Sequence, residues 1–294
     1  QGFSLQPWQQ GFVSECIRHY HNHGIVRLLI ADEVGLGKTL SMGTAALSLC
    51  LLSDKEHKKR KPVIIFCPAT LCEQWQTEMI DKLGIPCARW HTQKKAWLDP
   101  EGRIISPSGQ QFIAKCPLRI GIVSTGLMMQ SSLEKEYLLG MRFGLSILDE
   151  AHKARSKQGF GKDAGEHNNL LAFMRDIAAR SDHVLLGTAT PIQTRPEDLW
   201  DLMGILHQGS GNFVLGNDFA NWHWPEKVLP ILSGEQRVTQ PNFAWELLRS
   251  PLPDVDSSNE PHSRKLFRLI REDLDLLNIK KWDIKNPLTD LSDD

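Results

Sequence analysis

The stretch Leu29-Ile30-Ala31-Asp32-Glu33-Val34-Gly35-Leu36-Gly37-Lys38-Thr39 is an apolar run that turns through two glycines into Lys-Thr. The strict phosphate-loop pattern is G-x-x-x-x-G-K-[ST]. Gly37, Lys38 and Thr39 satisfy it, and Asp32 stands where the first glycine belongs. The setting is the one such a loop requires. Val26–Ala31 reads as a buried strand, and Lys38 to about Leu52 reads as a helix. Gly35 and Gly37 permit backbone angles that a side chain would forbid. Their N–H groups, with those of Leu36 and the helix start, can then face phosphate oxygens. Lys38 would neutralise β- and γ-phosphates, and the Thr39 hydroxyl would hold Mg²⁺.

A second stretch supplies the partner chemistry. Leu145-Ser146-Ile147-Leu148-Asp149-Glu150-Ala151-His152 is an apolar strand ending in two carboxylates. At the carboxyl end of a strand they share a sheet edge with the phosphate loop. Asp149 would hold Mg²⁺ through water, and Glu150 would orient and deprotonate an attacking water.

Further runs complete an alternating pattern. Leu5, Trp8, Phe12, Cys16, Ile17 and Tyr20 recur at helical steps, with Gly24 as a stop. Val63–Cys67, a short segment near Cys87–Trp90, Arg119–Ser124, Leu145–Leu148 and His183–Leu186 read as strands. A helix is expected from about Leu71 to Leu83. Strands alternating with helices imply an α/β fold, a mostly parallel sheet with helices on both faces. Residues 92–118 read as an insertion in which Arg103-Ile104-Ile105 pairs with Gln111-Phe112-Ile113 as a hairpin. After about Trp200 the pattern weakens, and a last apolar-faced helix is expected over Ser263–Leu277.

The 294 residues suit one large or two modest domains. A net charge of −1 gives no global field toward nucleic acid or membrane, so any DNA contact must be a local patch. The longest apolar run, about Ala45–Leu52, falls well short of the roughly 20 residues of a membrane span. The six cysteines lack C-x-x-C spacing and read as reduced, mostly buried thiols. His19, His21 and His23 have no ligand partner at metal spacing and read as a polar helix end. Lys55–Lys61 is the strongest basic run and reads as a solvated loop at the sheet edge away from the phosphate loop. Ser156–Glu166, with three glycines, reads as a mobile loop. Gln1 in place of a starting Met reads as a piece of a longer protein.

These motifs together resemble the Swi/Snf-like branch of the superfamily-two helicase-related ATPases. Asp149-Glu150-Ala151-His152 is that superfamily's box, and Asp-Glu-x-Gly-x-Gly-Lys-Thr is the branch's loop, so Asp32 becomes a family mark. The resemblance spans roughly residues 3–206. It implies a RecA-like ATP-binding lobe over 1–206 and a family-specific insertion or linker over 207–294. By the same resemblance Leu5-Gln6-Pro7-Trp8-Gln9 matches the Q motif, so Gln9 would read adenine. Pro68 and Thr70, in a run with Trp75, match motif Ia, which touches the nucleic-acid backbone; Ser124 and Thr125 match motif Ib. Thr188 and Thr190 match motif III, which couples the ATP site to nucleic-acid movement. Asp198–Leu202 resembles the helix that follows it, and Lys153, Arg155, Lys157 and Lys162 become candidate phosphate contacts. Val34 and His152–Arg155 look more like bacterial members, among them polymerase-recycling and phage-defence ATPases.

The resemblance implies ATP and Mg²⁺ as ligands, double-stranded DNA and a second RecA-like lobe as partners, no membrane, and a cytoplasmic, DNA-associated location, or a nuclear one in a eukaryote. The catalytic set would be Lys38, Asp149, Glu150 and His152. Second-lobe motifs with their arginine fingers are not found in these residues. Such a finger contributes roughly 10³–10⁵ in rate, so the chain alone is expected to bind ATP and hydrolyse it slowly. Translocation on duplex DNA is the expected activity of the whole protein. Strand separation, or an ATP-gated scaffold without turnover, are the alternatives.

Overall fold

The structure is a computed structural model that describes residues 4–57, 60–156, 168–192, 197–216, 220–232 and 234–237. The chain divides into two compact units, Gln1–Gly209 and Ser210–Asp294.

The first unit is built on a seven-stranded sheet. In chain order its elements are α1 (Pro7–His23), β1 (Arg27–Ile30), α2 (Lys38–His57), β2 (Val63–Cys67), α3 (Cys72–Thr77), β3 (Ala88–His91), β4 (Ala96–Leu98), β5 (Ile120–Ser124), α4 (Thr125–Met128), α5 (Leu133–Leu139), β6 (Phe143–Asp149), α6 (Asn169–Ala178), β7 (Ser181–Gly187) and α7 (Glu197–His207). The sheet order is β1-β7-β6-β2-β5-β3-β4, parallel except for the β3–β4 pair. β2 is buried along its whole length, which is what a strand covered on both faces requires.

Lateral register decides where the motifs meet. Ile30 pairs with Gly187, and Gly187 pairs with Asp149. Phe66 pairs with Leu148, which sets Cys67 beside Asp149, and Cys67 pairs with Ser124. The last residues of β1, β7, β6, β2 and β5 therefore form one row, and every motif turn leaves the sheet from the same edge.

Helix boundaries follow local chemistry. α1 begins with Pro7 at its first turn, where the ring's fixed φ suits a helix. It ends on Gly24 in the left-handed region, whose N–H returns to the Tyr20 carbonyl at 2.8 Å. Ser132 and Asn168 cap α5 and α6 through their side-chain oxygens. α1 packs on α2, and α2 on β6 and β7; Val13, Cys16, Met42, Ala45, Leu49, Ile65 and Ile147 are buried together there. The helix expected from Leu71 to Leu83 is α3 followed by a π-turn over Glu78–Lys82.

The insertion differs from expectation. Its hairpin joins β3 to β4, with Trp90 opposite Trp97. Residues 103–105 do not pair with 111–113: Ile104 makes a single bridge to Leu98, and Gln110–Ala114 winds into a 3-10 turn. Burial selects this arrangement. Ala96, Trp97 and Leu98 are all buried, Trp97 Nε1 donates to the Phe112 carbonyl at 2.8 Å, and Lys95 takes a left-handed φ of 47° to close the short turn.

In the second unit, α8 (Pro225–Leu232) follows a 3-10 turn at Asn221–His223. Lys227 lies 5.1 Å from the Trp224 ring centroid. The expected helix over Ser263–Leu277 and most of the loop 156–166 lie outside the described residues. Among the described residues no helix is long and apolar enough to cross a membrane.

Candidate functional site

The site is assembled from the phosphate loop after β1 and the carboxylates that end β6. Gly35 and Gly37 have φ of 90° and 77°, the left-handed conformation that favours glycine. Lys38 folds back over the loop, and its Nζ donates to the carbonyls of Asp32 at 2.7 Å and Glu33 at 3.0 Å. Asp32 thus contributes its backbone where the strict pattern has a glycine. Thr39 opens α2 and is partly exposed.

Gln9 is buried against this loop. Its Nε2 donates to the carbonyls of Leu36 at 3.1 Å and Gly37 at 3.3 Å, and its Oε1 accepts from the Gln6 N–H at 3.0 Å. Trp8 Nε1 donates to the same Leu36 carbonyl at 3.1 Å. The start of α1 therefore braces the loop from outside, a role the sequence reading did not assign to Trp8.

Asp149 is 6% exposed, and each of its oxygens has a donor. The Glu150 N–H donates to Oδ1 at 2.9 Å, and Trp75 Nε1 donates to Oδ2 at 2.8 Å. Burial raises the Asp149 carboxyl above its ordinary range, while these donors and the Lys38 charge pull it back. Glu150 sits at φ 53°, ψ 46°, a conformation a non-glycine residue adopts only where its surroundings enforce it. His152 Nδ1 lies 2.9 Å from Thr188 Oγ1 and 3.2 Å from Glu150 Oε2. Burial lowers the imidazole below its ordinary value, which favours the neutral ring. Thr188 is fully buried, and its Oγ1 also accepts the Thr190 N–H at 3.1 Å.

The predicted nucleic-acid residues divide. Pro68 and Thr70 lie on the turn after β2, with Thr70 exposed, and Thr190 is exposed after β7. Ser124 Oγ instead accepts the Gly126 N–H at 3.1 Å as the cap of α4, and the Thr125 side chain is buried. Trp75, grouped by sequence with the backbone-contacting run, is 1% exposed and points into the lobe. A polar-tipped ring on the sheet-facing side of α3 buries its body and brings its N–H to a partner. Lys153 is exposed and Arg155 partly so, and Lys157 and Lys162 lie outside the described residues. Asp201 on α7 accepts from the Ser156 N–H at 2.6 Å and from Ser156 Oγ at 2.9 Å. That contact ties the end of the carboxylate segment to the helix after Thr190, and no short-range sequence signal announced it.

The oxygen donors fit a hard cation. With one donor on each oxygen, Asp149 retains two of its roughly four lone-pair positions. Among the described residues no cluster of three or more His, Cys, Asp or Glu could hold a metal unaided. Mg²⁺ ordinarily completes its shell with water and substrate phosphates.

Comparison with known proteins identifies the family. The SNF2-related domain model matches residues 9–249. An uncharacterized ATP-dependent helicase, YqhH of Bacillus subtilis, is 30% identical over 192 residues, covering 63% of this chain and 28% of that protein. The RNA polymerase-associated protein RapA of Pasteurella multocida is 31% identical over 184 residues, 61% of this chain and 17% of its own. The chromatin-remodeling ATPase INO80 of Cryptococcus neoformans is 30% identical over 202 residues, 66% of this chain and 10% of its own. The chain thus spans less than a third of the length of each of these relatives. The Sulfolobus solfataricus SWI2/SNF2 ATPase core, solved in complex with dsDNA, superimposes with a TM-score of 0.53 over 85% of this chain and 44% of that one, at 18% identity. With the family model covering most of its length and the fold shared with a solved core, the chain belongs to the SNF2-related domain family.

Proposed function

We propose that this chain is the ATP-binding lobe of a motor that translocates along double-stranded DNA. The observation that carries the reading is the register Ile30–Gly187–Asp149, which brings the phosphate loop and the acidic pair to one sheet edge. The relatives' names, which speak of ATP-dependent helicase and chromatin-remodeling ATPase, support the class of activity. The likeness to a core solved in complex with dsDNA supports the partner.

In this reading the N–H groups of Gly35–Lys38 and the start of α2 receive the phosphates, and Lys38 exchanges its loop carbonyls for phosphate oxygens. Thr39 and Asp149 would hold Mg²⁺, which supplies charge neutralisation on the phosphates. Glu150, held in its left-handed conformation, takes the proton of the attacking water. Through His152 the same carboxylate is joined to Thr188, so a shift of the Thr188–Thr190 turn reaches the base. Pro68, Thr70 and Thr190 face the DNA backbone, and Gln9 reads adenine while bracing the loop.

The test is ATP hydrolysis by the whole protein with and without duplex DNA. Glu150→Gln should keep ATP binding and lower turnover at least about 100-fold. Unchanged turnover would favour an ATP-gated scaffold. Displacement of a triplex strand without separation of duplex strands is the expected readout of translocation, and strand separation would favour a helicase. Residues 1–294 alone should bind ATP and turn it over slowly. DNA-stimulated turnover by them at the whole protein's rate would refute that.

A further inference from the structure

We infer that Trp75 is a positioning residue for metal-bound nucleotide: its indole N–H fixes the plane of the Asp149 carboxylate. The inference rests on the reading of Asp149 as an Mg²⁺ residue.

A buried carboxylate with one anchored oxygen can rotate about its last torsion, which is broad. Asp149 has both oxygens anchored, one locally and one at long range: Oδ1 by its own neighbour's N–H and Oδ2 by an indole 74 positions upstream. The Trp75 bond is the charge-assisted kind when Asp149 is ionised, and the ring is 1% exposed, so water does not compete for it. The anchor is itself held. One turn earlier on α3, Cys72 Sγ lies 3.5 Å from Cys67 Sγ, at the end of the strand next to β6. One residue later, Gln76 Nε2 donates to the carbonyls of Cys87 and Leu98 at 3.1 Å each, and its Oε1 accepts from Arg89 Nε at 3.2 Å. α3 is therefore held to β2 on one side and to the β3–β4 hairpin on the other, and the buried ring it carries is confined by the packing around it. With one donor per oxygen, the plane of the Asp149 carboxylate is fixed, and with it the direction of the lone pairs that remain. This is how residues outside a metal's own shell orient its ligands.

The experiment measures binding of a fluorescent ADP to the whole protein, in EDTA and across a Mg²⁺ titration. Trp75→Phe keeps a ring and removes the donor. It should leave metal-free nucleotide affinity unchanged and raise the Mg²⁺ concentration for half-maximal gain by about tenfold or more. A purely structural role for Trp75 would weaken both conditions together and so overturn the inference, as would a Mg²⁺ curve that superimposes on the parent's. Asp149→Asn separates the two levels. If it abolishes the Mg²⁺ gain while Trp75→Phe does not alter it, only the role of Trp75 fails. If Asp149→Asn keeps the gain, the metal reading fails and the inference with it. Should Trp75→Phe not fold, 3-benzothienylalanine placed at position 75 keeps the indole shape and replaces N–H by sulfur, and the same two outcomes decide.

Discussion

Gly37 shows how little freedom the loop has. Its φ is 77°, and a Cβ there would collide with Gln9 Nε2. Gly37→Ala therefore combines a backbone penalty of about 1–3 kcal/mol with loss of the Gln9 contacts. It should lower the thermal midpoint and weaken ATP binding by calorimetry, and Gln9→Ala in the same background should add little to either. Thr188 is the residue through which the two sides of the site touch. Thr188→Val keeps its shape but leaves His152 Nδ1 and the Thr190 N–H without their hydroxyl. DNA-stimulated turnover should fall roughly three- to tenfold, the worth of one net hydrogen bond, with ATP affinity unaltered. A parallel loss of affinity would place Thr188 in nucleotide binding instead.

At the scale of elements, α2 is fastened to β5 across the edge of the sheet opposite the site. Arg119 donates to both Asp54 oxygens at 2.5 and 2.8 Å and to the Lys61 carbonyl at 3.2 Å. Chiefly through that hydrogen bonding, the Asp54 carboxyl is held below its ordinary value. A carboxyl depressed in the folded state adds stability above its unfolded value of about 3.9, and that stability is lost as pH falls through the folded value. Asp54→Asn should therefore be less stable at neutral pH, by at most about 1 kcal/mol for a partly exposed pair. The difference should shrink as pH falls below the ordinary carboxylate range and vanish once Asp54 is protonated in the folded state, as read from urea unfolding at each pH. The β3–β4 hairpin depends on a different contact. Gly121 in β5 lies under Trp97, whose Cη2 would be 2.6 Å from an added Cβ. Gly121→Ala should destabilise by about 1–3 kcal/mol through overpacking. An unchanged denaturation midpoint would mean that the hairpin is free to lift.

For the whole molecule, every residue assigned to ATP lies within the first unit, Gln1–Gly209. That unit carries its own closure. The Arg27 guanidinium, 4% exposed, donates to the carbonyls of Ala178, Ser181 and Gln208, fastening β1, the α6–β7 turn and the end of α7 together. Residues 1–209 should therefore bind Mg²⁺·ADP within a factor of about three of the longer chain, less than 1 kcal/mol. A larger loss would show that residues beyond 209, where the family match continues to 249, complete the site. The legibility of this architecture differed by region. The strands at Val63–Cys67 and Leu145–Asp149 and the loop between Ala31 and Lys38 were plain from apolar runs and glycine spacing. The hairpin partner of Ala88–His91 was not, because the burial of Trp97 that selects it is not written in a period; α5 is a short helix set by its Ser132 cap, whereas the apolar face of α6, Leu170, Leu171, Phe173, Met174 and Ile177, does follow a helical period.

The sequence by itself determined the parallel α/β class, the phosphate loop with Asp32 in place of a glycine, and the acidic pair Asp149–Glu150. The loop and the acidic pair are each encoded within a dozen consecutive residues, by which side chains a turn tolerates, and the class by short apolar runs that alternate with helical ones along the chain. Only the tertiary structure decided that Gln9 braces the loop, that His152 meets Thr188, and that Trp75 faces Asp149 instead of nucleic acid. Those partners are 27 to 74 residues apart. Their contacts arise from the lateral register of strands, which depends on how the whole apolar surface is buried and leaves no local mark on the chain.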